Sequence, residues 1–181
     1  MSRYISILRG INVGGHKKIL MADLKALLVN QGFENVVTYI QSGNIIIDSH
    51  ITDSNKVKQK LESIIEKRFG FQVPVIVRKQ EQLQNVINND PFSEIDKIEM
   101  GSKLHVFFLS GTPAPENREQ LLDYVQQIPE QLVINKNHIY VYYPNGAGRS
   151  KLTINIIEKK LSVQATARNW KTIQKLLELS S

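Results

Sequence analysis

Two glycine-rich segments carry the residues of this chain best suited to holding an anion. The first reads Arg9-Gly10-Ile11-Asn12-Val13-Gly14-Gly15-His16-Lys17-Lys18. Glycines let backbone N–H groups turn toward a negative ligand, and nearby cations add favourable potential. The spacing from Gly10 to Gly15 matches that of a P-loop. The match fails where the chemistry lies, because His16 stands in place of the lysine and Lys17 in place of the hydroxyl that would hold Mg²⁺. The competing reading is a solvated connection with no ligand. The second segment reads Pro144-Asn145-Gly146-Ala147-Gly148-Arg149-Ser150-Lys151-Leu152. Arg149 offers a two-pronged donor for phosphate or carboxylate. Ser150 is read as the cap of a helix running to Leu161. No nucleotide is specified, since the Gly-x4-Gly-Lys-Ser/Thr spacing is missing.

Two smaller motifs join them. Gln41-Ser42-Gly43-Asn44 has the composition of a hairpin turn. Thr166-Ala167-Arg168-Asn169-Trp170 places a cation beside a good N-cap and the one tryptophan. Other chemistries drop out. With no cysteine there is no thiolate nucleophile, disulfide or cysteine zinc site. His16, His50, His105 and His138 lack metal-ligand spacing, so no metal is expected. Asp90, Glu94, Asp96 and Glu99 cluster in a polar stretch, where a solvated loop is the simpler reading. No general base stands out, and no cofactor is indicated.

These motifs need elements to position them. Tyr4–Leu8 reads as a strand, Met21–Gln31 as a helix, and Val36–Ile40 with Asn44–Asp48 as a hairpin. Asp53 caps a helix to Phe69, Val73–Lys79 is a strand, and Gln80–Asn88 is a short helix. Phe92–Ser102 is polar and irregular. The order then recurs: strand Leu104–Leu109, helix from Pro115, hairpin Gln131–Ile134 and His138–Tyr143, helix Ser150–Leu161, strand Gln164–Ala167, helix Asn169–Leu179. Strand, helix, strand, strand, helix, strand is the ferredoxin-like order. The expected fold is therefore α+β, with two ferredoxin-like halves related by internal duplication. The first half spans 1–91, a linker 92–102, and the second half 103–181. Val77-Arg78 and Ala167-Arg168 occupy matching junctions.

The chain has 181 residues, enough to bury roughly 70% of the surface its unfolded form exposes. Hydrophobic residues are 41% and charged residues 22%, which excludes a disordered composition. Lys and Arg outnumber Asp and Glu by 23 to 17, a net charge of +6 that favours anionic partners. No apolar run is long enough to span a bilayer, and Met1-Ser2-Arg3-Tyr4 enters a strand and not a signal segment, so a cytoplasmic protein without membrane contact is expected.

Taken in order, Leu8-Arg9-Gly10-Ile11-Asn12-Val13-Gly14-Gly15, Tyr39-Ile40-Gln41-Ser42-Gly43-Asn44, Gly148-Arg149-Ser150-Lys151-Leu152 and Ala167-Arg168-Asn169-Trp170 resemble the bacterial domain-of-unknown-function family number 1697. The likeness covers nearly the whole chain, and Thr166 and Thr172 also fit. It implies a bacterial, cytoplasmic α+β protein and carries no reaction.

The motif residues are polar and sit in loops, where packing alone does not demand them. They are expected to gather into one basic cleft between the halves that binds a small phosphorylated or otherwise anionic ligand. The candidate ligand contacts are Arg9, Asn12, Gly14, Gly15, Lys17, Gln41, Ser42, Asn44, Gly148, Arg149, Ser150, Lys151, Arg168, Asn169 and Trp170. Were turnover to occur, Arg9, Arg149 and Lys151 would stabilise developing charge. The first alternative is a nucleic-acid-binding module stacking bases on Phe107, Tyr140 and Tyr142. The second is a structural protein without catalysis.

Overall fold

The computed structural model describes residues 1–95 and 97–181, with residues 97–99 described by their backbone. The chain divides into two compact units. One comprises residues 1–87 with 175–181, and the other residues 88–174.

In the first unit the order is β1 (Ser2–Leu8), α1 (Met21–Asn30), β2 (Glu34–Tyr39), β3 (Asn44–Ser49), α2 (Ser54–Phe69) and β4 (Val75–Lys79). The sheet order is β2-β3-β1-β4, antiparallel throughout. Alternate residues Tyr4 and Leu8 of β1, Ile45 and Ile47 of β3, and Val75 and Val77 of β4 form one core with Leu24 and Leu28 of α1 and Val57, Leu61 and Ile65 of α2. The intervening Ile5, Ile7 and Ile46 are buried as well. That is why Ile45-Ile46-Ile47 of β3 is a continuous apolar run and not an alternation. Asp53 caps α2 by accepting from the Asn55 N–H at 2.8 Å, and Gly70 closes it in the left-handed region at φ 79°.

The second unit repeats the plan. Its elements are β5 (Leu104–Leu109), α5 (Pro115–Val125), β6 (Gln131–Asn135), β7 (His138–Tyr142), α6 (Ile154–Leu161) and β8 (Ala165–Asn169). The sheet order β6-β7-β5-β8 reproduces the first sheet strand for strand. Phe107 and Leu109, Ile139 and Val141, and Ala165 pack with Leu121 of α5 and Ile157 and Leu161 of α6. Between the sheets in sequence lie α3 (Gln80–Asn88) and α4 (Lys97–Lys103), and α7 (Trp170–Leu179) closes the chain. The fold is α+β in two halves, each with the ferredoxin-like strand order.

Two local readings change. The stretch read as irregular linker holds α4, whose Met100 is buried. Seven residues with an internal glycine are too few for helical periodicity to register in the sequence. The helix assigned from Ser150 begins at Ile154, with Thr153 as its cap. Ser150 instead accepts from the Leu152 N–H at 2.9 Å and shapes the turn before the helix. Of the four acids read in the linker, Asp96 and the Glu99 side chain lie outside the described residues.

Candidate functional site

The first glycine segment leaves β1 and runs to α1. Gly10, Asn12, Gly14, Gly15 and Lys17 all have φ between 47° and 79°. Asn12 is the staple that holds this backbone. Its Nδ2 donates to Gln41 O at 2.8 Å and Ile19 O at 3.0 Å, while its Oδ1 accepts from the Ile19 N–H at 2.9 Å. Asparagine is among the side chains that tolerate the left-handed region, and its amide can both donate and accept. Asn12 and Gln41 are thus brought together, but to build the loop.

Gly43 explains the hairpin motif. Its N–H bonds Ile40 O at 3.4 Å, and its carbonyl accepts from the Leu8 N–H at 2.8 Å. A Cβ placed on it would lie 2.6 Å from Ile11 Cδ1 and 2.8 Å from Leu8 Cβ. Asn44 is fully buried and donates to Tyr39 O and Ser42 Oγ. Gly43 therefore packs the hairpin against the glycine loop, and Asn44 closes the hairpin turn on itself. Gln41 and Ser42 remain exposed at its surface.

On the outer side of the loop the chemistry is different. Gly14, Gly15, His16, Lys17 and Lys18 are exposed. The loop is pinched by the His16 N–H donating to Val13 O and the Asn12 N–H donating to Lys17 O. Among the described residues no protein acceptor meets the N–H groups of Gly14 and Gly15. Lys17 Nζ donates to Gln72 O at 2.7 Å, which pins that side chain beside the loop. Arg9 is half-buried, with its N–H on Pro74 O at 3.0 Å.

In the second unit, Gly146 at φ 83° opens a 3-10 turn over Ala147–Arg149. The buried hydroxyl of Tyr143 donates to Leu152 O at 3.1 Å and ties the far end of the loop down. Burial pushes that hydroxyl's pKa up, with the Glu130 carboxylate adding to the effect. Gly148, Arg149 and Lys151 are exposed.

Arg168 is another of the expected ligand contacts. It is buried, and its Nη1 donates to Thr166 Oγ1 at 3.1 Å and Ala167 O at 2.7 Å. Asn169 caps α7 by accepting from the Thr172 N–H at 2.9 Å, and Trp170 is buried. Arg78 stands at the equivalent place on β4 and donates to its own neighbour Val77 O at 3.0 Å. The two register partners, Ile5 for Arg78 and Val106 for Arg168, sit on the equivalent strands β1 and β5. Burial pulls both guanidinium pKa values down to about 10.

The expected contacts therefore fall into two sets. Arg9 to Asn44 belong to the first unit, and Gly148 to Trp170 to the second. Sequence reading missed the best-formed polar network. Arg3 donates to both carboxylate oxygens of Asp48 at 2.8 and 2.9 Å, and Asn35 donates to Oδ2 at 2.7 Å. The available signal was a lone carboxylate after the apolar run Ile45-Ile46-Ile47. Among the described residues no group of three or more His, Cys, Asp or Glu is placed to hold a metal, and no helix is long and apolar enough to cross a membrane.

Two sheets of identical strand order define an α+β protein made of two ferredoxin-like units. The chain belongs to the family described as "Protein of unknown function (DUF1697)", whose model matches residues 1–140. Among solved structures it is similar to the conserved bacterial protein SP0830 from Streptococcus pneumoniae, at 24% identity and a TM-score of 0.73 over 99% of both chains. A "putative glycine cleavage system transcriptional repressor" aligns at 11% identity over 92% of this chain and 95% of its own, with a TM-score of 0.23. No curated protein matches the chain.

Proposed function

We propose that the Gly10–Lys18 loop binds a small phosphorylated or otherwise anionic ligand. The observation that carries this reading is the pair of exposed, unpartnered N–H groups at Gly14 and Gly15, flanked by His16, Lys17 and Lys18. Donors held by a rigid backbone cost little to organise when an anion arrives. Asn12 and Gly43 supply the rigidity. The Arg149–Lys151 turn of the second unit is a further candidate anion contact, with Arg149 as the forked donor. Arg168 has no ligand role in it, because burial and its bonds to Thr166 and Ala167 already occupy that side chain.

The nucleic-acid reading finds less support. Stacking on a ferredoxin-like sheet needs open aromatic faces. Phe107, Phe108 and Tyr140 are buried, and Tyr142 nearly so.

The test is a thermal-shift panel of phosphates, nucleotides and polycarboxylates. One class of anion should raise the melting point of the wild-type chain. Lys18→Ala should diminish the shift while leaving the unliganded melting point in place. Arg149→Ala tests the second contact in the same way. A flat panel for the wild-type chain removes the proposal. A shift that survives in both variants removes these two loops as its origin.

A further inference from the structure

Two open sheets leave four edge strands: β2, β4, β6 and β8. An unpaired edge is a template for another strand, and proteins usually blunt it. Three of these edges are blunted. β2 is broken by a register shift between Glu34 and Val37, with Asn35 at φ 48°. On β4, the Val75 N–H donates to Glu62 Oε1 at 2.9 Å and the Lys79 N–H to Gln82 Oε1 at 2.8 Å. On β8, the Ala165 N–H donates to Glu158 Oε1 at 2.7 Å.

The fourth edge is different. β6 pairs with β7 over five successive residues with no shift. Asn135 and His138 flank a two-residue turn and so face each other as a hydrogen-bonded pair. Alternation then turns the N–H and C=O of Leu132 and Ile134 outward. No group among the described residues caps them. Beside this edge a groove of about 410 Å³ lies between β6 and α5, lined by Pro115, Arg118, Glu119 and Leu122. Leu122 is 42% exposed and Val133 39%.

The sequence of the edge says what fits it. Gln131-Leu132-Val133-Ile134-Asn135 reads amide, aliphatic, valine, aliphatic, amide. It is a chemical palindrome about Val133. An antiparallel second copy would set Gln131 against Asn135, Leu132 against Ile134, and Val133 against itself. Leu132 and Ile134 are the two residues with outward backbone groups, so the pairing forms four hydrogen bonds. Its two-fold axis stands perpendicular to the sheet and keeps both α5 helices on one face. Arg118 and Glu119 of the groove carry opposite charges, as a surface that meets its own copy requires.

We propose that β6 is a self-association edge, through which two copies of this chain join their second-unit sheets into one continuous sheet. The contact is short, so the dimer is a weak one.

Sedimentation measured from micromolar to millimolar concentration tests it. The mass should rise from one chain toward two. Val133→Lys opposes like charges across the axis and should weaken association at least about tenfold without altering the melting point. A second measurement uses the absence of cysteine. A Val133→Cys thiol would face its copy across a non-hydrogen-bonded pair, where Cα atoms lie about 4.5 Å apart, within disulfide reach. Mild oxidation should link it readily, while Val29→Cys on the exposed face of α1 should stay single. A one-chain mass at every concentration overturns the proposal, and so does Val133→Cys linking no faster than Val29→Cys. Protection of the Leu132 and Ile134 amides by an added extended peptide, with the chain itself remaining single, would assign the edge to another occupant.

Discussion

Arg3 holds Asp48 with both prongs of its guanidinium across the β1–β3 pair, where the two residues are direct register partners. The same Arg3 side chain donates to Ser180 O at 3.3 Å, so the end of the chain is fastened to its first strand. Arg3 is the largest cause of the depressed Asp48 pKa. Burial opposes the effect and Asn35 reinforces it, leaving Asp48 at about 2.

That geometry predicts an acid-sensitive contribution to stability. A free aspartate titrates at about 3.9, so as pH falls the unfolded chain takes up this proton before the folded one. The contribution is complete above the unfolded value and disappears as pH falls through about 2. Asp48→Asn should cost about 1 kcal/mol at neutral pH, and the difference from the wild-type chain should shrink at acid pH. Urea unfolding of both proteins at several pH values measures this.

Gly43 and Gly10 give a paired test of backbone freedom. Both have positive φ, at 83° and 69°. A Cβ at Gly10 meets nothing within 4 Å, whereas at Gly43 it collides with Ile11 and Leu8. Gly10→Ala should cost about 1 kcal/mol from backbone strain alone. Gly43→Ala should cost about 3 kcal/mol, because packed neighbours must also move. Equal losses in chemical denaturation would contradict the assigned contact.

Asn12→Ala removes two half-buried hydrogen bonds to Ile19 and one exposed bond to Gln41 O. The expected loss is about 2 kcal/mol. Hydrogen exchange at the Ile19 amide should accelerate more than exchange in β3. Anion-induced thermal stabilisation should fall with it, since the loop donors lose their support.

Glu62 and Glu158 cap the first N–H of the last strand in their respective sheets. Glu158→Ala should lower stability by about 1 kcal/mol and speed exchange at Ala165. Glu158→Gln keeps an acceptor oxygen and should recover most of the loss. A variant pair with identical exchange rates would remove the capping role.

The repeated element order was legible because its signals are local. Val36–Ile40, Asn44–Asp48, Asp53 and Gly70 mark strand, strand, cap and stop, each from its own few residues. The misplaced start of α6 shows the limit. Ser150 and Thr153 are both competent caps, but Ser150 is taken up by the Leu152 N–H and the Tyr143 hydroxyl holds Leu152 O, so the helix begins after Thr153. The candidate ligand residues were legible as types and not as roles. Arg149 and Arg168 read alike in sequence, yet one is exposed and the other buried.

From its residues alone the chain determined two ferredoxin-like strand orders, its basic charge and the loops where glycine and cations meet. Periodicity and turn chemistry act over short stretches, so they survive without a fold. Tertiary structure decided which polar groups remain available to solvent. Asn12 was spent on Gln41 and Ile19, Gly43 on the contact with Ile11, and Arg168 on Thr166, while Gly14 and Gly15 kept their donors. The physical reason is that hydrogen-bond partners and burial come from residues distant in sequence, and no local pattern encodes which of several equivalent donors the folded chain consumes.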